Sequence, residues 1–152
     1  MKVYSYTASQ FVATDLKTCW EFFSSPGNLK KITPASMGFI ITSDPPPVMY
    51  AGQLITYIVK PLFGIPVSWV TEITQVEEGR YFIDEQRAGP YRMWHHEHFF
   101  RETEGGVEMT DKVLYALPFG FLGRMALPLV RSRIDAIFKF RKAKINEFFP
   151  GS

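Results

Sequence analysis

Residues 92–117 read RMWHHEHFFRETEGGVEMTDKVLYAL, and this stretch decides the fold. Two runs in which residue character alternates, 92–103 and 107–117, flank Gly105-Gly106, the pattern of two antiparallel strands joined by a tight turn. With Gly105-Gly106 as a two-residue loop, Glu104 pairs with Val107, Phe100 faces Asp111, His98 faces Val113 and His96 faces Tyr115. One face then holds Trp94, His96, His98, Phe100, Met109, Asp111, Val113 and Tyr115. The other holds Glu97, Phe99, Arg101, Glu108, Thr110 and Lys112. Most large apolar groups fall on one side and most charges on the other, so the register is self-consistent.

The same reading extends toward the N-terminus. Glu78-Gly79 separates strands at 67–77 and 80–87, with Glu77 paired to Arg80. This places Trp69, Thr71, Ile73, Phe82, Asp84 and Gln86 on a common face. Ala88-Gly89-Pro90 leaves the register to the next strand open. The need to bury Trp69, Ile73 and Phe82 favours their sharing the histidine face. Further strands are expected at 53–60 and 37–43, separated by the rigid Pro45-Pro46-Pro47 turn.

Residues 3–13 alternate as a first strand. Thr14-Asp15 is a helix N-cap signal, followed by Leu16, Cys19, Trp20 and Phe23 at helical spacing. Ser25-Pro26-Gly27-Asn28 breaks that helix, and a second short one is expected through residues 29–32. Residues 118–123 read as a loop. A long helix follows over 128–149, roughly 33 Å at 1.5 Å per residue, with Val130, Ile134, Ile137, Phe138, Ile145 and Phe148 as its apolar stripe. The expected architecture is α+β: one domain over 1–152, a curved antiparallel sheet wrapped around a long C-terminal helix, with two short helices after the first strand. Such a sheet gripping one helix leaves room for a ligand between them.

Composition narrows the function classes. The chain is 46% apolar and 16% aromatic, with fourteen Phe, seven Tyr and three Trp, enough for a sizeable core. The single cysteine, Cys19, excludes an intramolecular disulfide and any cysteine-cluster metal site. No secretory signal or membrane-spanning run is legible, so a cytoplasmic protein is expected. Residues 124–149 carry seven basic and two acidic side chains, while the net charge is only +2. That segment can touch anionic lipid, but reads first as the solvated face of the helix. The rest of the chain has no basic patch, so nucleic acid is not an expected partner.

The polar groups on the aromatic face are Asp84, Gln86, His96, His98 and Asp111. Buried polar groups are costly unless paired, so they form either a satisfied network or a ligand contact. His96-Glu97-His98 has a spacing used by metal sites, with Asp84 or Asp111 as a third ligand. Alone that spacing is weak, and neither a metal nor a cofactor is expected. The candidate catalytic residues are His96, His98 and Asp111, as a His–Asp acid/base pair. No nucleophile or oxyanion motif accompanies them, and Cys19 belongs to the core.

The order of elements is similar to that of the START-like superfamily, also called SRPBCC, with the helix-grip fold of pollen allergens, polyketide cyclases and coenzyme Q-binding proteins. So are the strings Phe82-Ile83-Asp84-Glu85-Gln86, Gly89-Pro90-Tyr91, Trp94-His95-His96-Glu97-His98, Met109-Thr110-Asp111 and Leu117-Pro118-Phe119-Gly120. The chain most resembles a bacterial branch of uncharacterised cytoplasmic members, sometimes labelled cell-division inhibitor through a neighbouring domain. The resemblance implies binding of a lipid, quinone or polyketide-like molecule, or cyclisation or hydrolysis on the same scaffold. No enzymatic branch's catalytic pattern matches, which tilts the expectation toward binding. Trp69, Phe82, Trp94, Phe100 and Tyr115 are expected to supply apolar contact, and Asp84, Gln86, His96 and His98 to orient a polar end. The alternative is a cyclase or hydratase using His96 or His98 as general base. The segments 61–66 and 118–123 are expected to gate the cavity.

Overall fold

The alternating stretches become seven strands in a computed structural model describing residues 1–152. They are β1 (Tyr4–Val12), β2 (Ile40–Ile41), β3 (Gln53–Val59), β4 (Val67–Glu77), β5 (Tyr81–Ala88), β6 (Met93–Thr103) and β7 (Gly106–Ala116). They form one antiparallel sheet in the order β1-β7-β6-β5-β4-β3-β2. The helices are α1 (Leu16–Phe23), α2 (Pro26–Leu29), α3 (Gly120–Met125) and α4 (Leu127–Phe148). The curved sheet wraps the long C-terminal helix as the α+β reading requires.

Local chemistry accounts for the elements between β1 and β3. Asp15 caps α1, its carboxylate accepting hydrogen bonds from Thr18 N and Thr18 Oγ1. α1 ends at Phe23, so the expected break holds, but the second short helix starts earlier than expected, as α2 at Pro26, because proline sits in the first turn where a missing N–H costs nothing. The expected strand over 37–43 shrinks to β2. A 3-10 turn, Ala35–Met37, and a left-handed Gly38 at φ +53° occupy its beginning.

Both hairpin registers differ from expectation while their faces survive. Thr103 pairs with Gly106, so the loop is Glu104-Gly105, with Gly105 at φ +80°. Gly106 is needed in the strand: a Cβ there would lie 2.4 Å from the Val12 carbonyl oxygen, so β1 could not approach. His98 therefore faces Asp111, His96 faces Val113 and Phe100 faces Met109, a slip of two residues that preserves parity. At the other hairpin Glu77 pairs with Tyr81 rather than Arg80, and a bulge at Thr74 takes up the offset. Ile73 then faces Asp84 and Thr71 faces Gln86. Phe82 pairs with His98 and Asp84 with His96, which puts both faces on the same side of the sheet.

The core has two main parts. Cys19 and Trp20 of α1 pack with Phe82, Phe100, Val107, Met109 and Ile145 at one end. Val130, Ile134 and Phe138 of α4 pack on Tyr4, Val113 and Tyr115. Phe39, Val59 and Trp69 form a smaller cluster under β3 and β4. The 118–123 segment, expected as a loop, winds into α3: a Cβ at Gly123 would strike the Pro118 carbonyl oxygen, so only glycine permits that tight fold. No helix is long and apolar enough to cross a membrane.

Candidate functional site

Between sheet and helix lies a cavity of about 530 Å³. Its wall is mostly hydrophobic, and Trp69, Phe82, Asp84, Trp94, His96 and His98 all contribute to it. Alternation in β4, β5 and β6 aims these six side chains inward. Trp69 meets Trp94 edge-on at 5.5 Å and lies under Tyr57 and Tyr91, giving the cavity an aromatic end.

Three expected ligand contacts are elsewhere. Gln86 Nε2 donates to Tyr91 O at 2.7 Å and its Oε1 accepts from Tyr91 N, so it staples the turn between β5 and β6. Phe100 packs against Trp20 beneath α1, and Tyr115 is sealed behind Tyr91 and Trp94 at 1% exposure. None of the three reaches the cavity wall. Asp111 also stays behind the wall, under both histidines.

The polar end is a closed set of charges. His96 Nε2 donates to Asp111 Oδ1 at 2.9 Å, and His98 Nε2 donates to Asp84 Oδ2 at 2.8 Å. His98 Nδ1 lies 2.9 Å from Asp111 Oδ1, off the line of a hydrogen bond. The imidazole rings are 3.7 Å apart. Burial disfavours charge on both rings. For His98 the adjacent Asp111 and Asp84 carboxylates outweigh burial and raise its pKa, whereas burial and the His98 charge hold His96 below the usual histidine value. Burial likewise acts against the two carboxylates, but hydrogen bonds and charge from the histidines hold Asp84 and Asp111 well below the usual range.

Arg141 completes the set. It is 9% exposed, lies on the inner face of α4 with Nη1 3.7 Å from Asp111 Oδ1, and its Nε has no partner. Two carboxylates thus meet one guanidinium and two imidazoles. The sequence reading missed Arg141, although it falls on the stripe Ile134, Phe138, Arg141, Ile145 at helical spacing. On the outer face, His95 bonds Glu85 and Glu97, away from the cavity.

The cavity mouth is apolar. Phe119 and Leu122 line the cavity yet are 81% and 70% exposed. Phe63 and Phe119 are the two non-glycine residues with positive φ, one in each expected gating segment.

A curved sheet closed over one helix with a cavity between them defines the helix-grip class. Solved structures with this fold include Ms6760 from Mycobacterium smegmatis, at 17% identity and TM-score 0.71, covering 97% of this chain and 91% of that one. Ara h 8.0201 matches at 11% identity and TM-score 0.62, covering 96% and 99%. A nucleoside-diphosphate sugar epimerase from Corynebacterium glutamicum matches at 19% identity and TM-score 0.65, covering 93% of this chain but 28% of the epimerase. No family model and no curated protein matches the sequence.

Proposed function

We propose that this protein binds a hydrophobic or aromatic small molecule, of lipid, quinone or polyketide-like character, between the sheet and α4. The carrying observation is the roughly 530 Å³ apolar cavity with a single charged end, a volume within the usual range for small-molecule sites. Trp69, Phe82 and Trp94 supply apolar contact, while Asp84, His96, His98 and Arg141 meet a polar head. The exposed Phe119, Phe121 and Leu122 beside Arg124 suit brief contact with an anionic membrane surface during loading. Native mass spectrometry of the purified protein, with extraction of bound lipids, tests the reading. Wild type is expected to carry a small hydrophobic molecule, and Ile137→Trp, which fills the cavity from α4, to lose it while keeping the fold. A wild-type protein that takes up neither cellular lipids nor a hydrophobic dye overturns it.

One observation favours a second reading, a cyclase or hydratase. Two imidazole–carboxylate pairs lie within hydrogen-bond reach, with both imidazoles on the cavity wall. Opposite pKa shifts bias His96 toward its neutral, basic form and His98 toward its protonated, acidic form. This reading requires that His96→Gln retain ligand yet fail to exchange the acidic C–H protons of a bound polyketone with solvent deuterium. Equal exchange in wild type and variant removes it.

A further inference from the structure

The histidine pair is arranged around a point that neither the binding reading nor acid–base chemistry needs. Asp111, behind the wall, accepts a hydrogen bond from His96 Nε2 at its Oδ1, and the same oxygen lies 2.9 Å from His98 Nδ1 without a hydrogen bond. A carboxylate that takes the far N–H of an imidazole fixes its tautomer and turns the lone pair of the other nitrogen outward. For His96 the nitrogen left over is Nδ1, and it and His98 Nε2 are both turned to Asp84 Oδ2, at 3.8 Å and 2.8 Å. One ligand atom from each of Asp84, His96 and His98 lies within 4.8 Å of the others. Metal–donor bonds of about 2.0–2.2 Å put neighbouring donors roughly 3–3.5 Å apart, so small side-chain rotations bring the three into a coordination sphere.

We propose that Asp84, His96 and His98 bind one first-row divalent cation of the zinc or ferrous type, with Asp111 as the outer carboxylate and the open coordination positions facing the cavity. Two nitrogen donors select such a cation over magnesium or calcium, which take oxygen ligands. The charge is consistent: Arg141 already offsets one of the two carboxylates. In the metal-free protein the proton that His98 Nε2 donates to Asp84 stands where the cation goes, so binding releases it. The H-x-H spacing alone carried no such site. What adds to it is Asp84 from the adjacent strand and the shared Asp111 behind.

The cation site shares Asp84, His96 and His98 with the polar end of the ligand cavity, so the test uses the metal alone. Chelator-stripped protein is titrated with Co²⁺ by visible absorption and with Zn²⁺ by calorimetry and thermal melting. The expected result is one equivalent bound, ligand-field bands of a mixed nitrogen–oxygen site, and a raised melting temperature. Asp111→Asn is expected to weaken binding by about 10–100-fold, and His98→Gln and Asp84→Asn to abolish it. His95→Gln, which alters the outer cluster with Glu85 and Glu97, leaves it unchanged. Circular dichroism checks that each variant folds. Should the inner variants unfold, ¹⁵N NMR of the wild-type imidazoles takes their place, with Zn²⁺ expected to shift His96 Nδ1 and His98 Nε2. No binding by the folded wild type, binding that survives in folded His98→Gln, loss in His95→Gln, or unshifted ring nitrogens overturns the site. Each of these outcomes leaves the hydrophobic-ligand reading intact.

Discussion

Asp111 shows how much one buried side chain organises. It has no access to the cavity, but both imidazoles and Arg141 gather around it. Removing one partner of a buried charged group leaves the others uncompensated, so Asp111→Ala is expected to cost about 3–5 kcal/mol in urea unfolding. The pH dependence in metal-free protein has a definite sign. The folded pKa of Asp111 is lowered, so its contribution is present above the unfolded value of about 3.9 and fades as pH falls. The folded pKa of His98 is raised, so its contribution is full below about 6.5 and fades as pH rises through the folded value. The stability gap between wild type and Asp111→Ala is therefore widest between these two limits, and urea curves across pH measure it. Strand parity made Asp84, His96, His98 and Asp111 legible as one face. Parity says nothing of depth, so it did not show that Asp111 lies behind the wall, or that Gln86 turns to the Tyr91 backbone.

Hairpins mark where local sequence reading stops being sufficient. Gly105-Gly106 offers two glycines for one turn. The chain uses Gly105 for its left-handed backbone and Gly106 for the close approach of β1, a contact with residues far away in sequence. Thr74 carries no signal of a bulge, yet its bulge absorbs the longer turn after Glu77. The strands and helices were legible because alternation and capping are local, whereas register depends on what packs across the sheet. Gly105→Ala is expected to cost about 1–2 kcal/mol as left-handed strain. Gly106→Ala is expected to cost about 1–3 kcal/mol by overpacking. The two differ in where the damage falls: hydrogen exchange should quicken across the β1 and β7 amides in Gly106→Ala and stay confined to the turn in Gly105→Ala.

At the scale of the whole molecule, the helix grip was legible from element order and the length of α4. The cavity's size was not, since it depends on how far α4 stands off the sheet and how α1 and α3 close the ends. Cys19 reports on the integrity of that arrangement. It is fully buried on the inner face of α1, and burial first, with the Asp15 charge behind it, pushes the thiol up to about 12. A disulfide reagent at neutral pH is therefore expected to leave native protein unmodified and to react at once in denaturant; rapid reaction in native buffer would show α1 opening independently of the core. The pairing of Tyr4 with Tyr115 and of Val12 with Val107 has a kinetic corollary. The earliest strand to be synthesised waits for roughly a hundred further residues before its neighbour exists, a long loop closure of the kind that slows folding. During translation the meander from β3 to β7 can assemble hairpin by hairpin, while β1 remains an unpaired ribbon that a chaperone is well placed to shield.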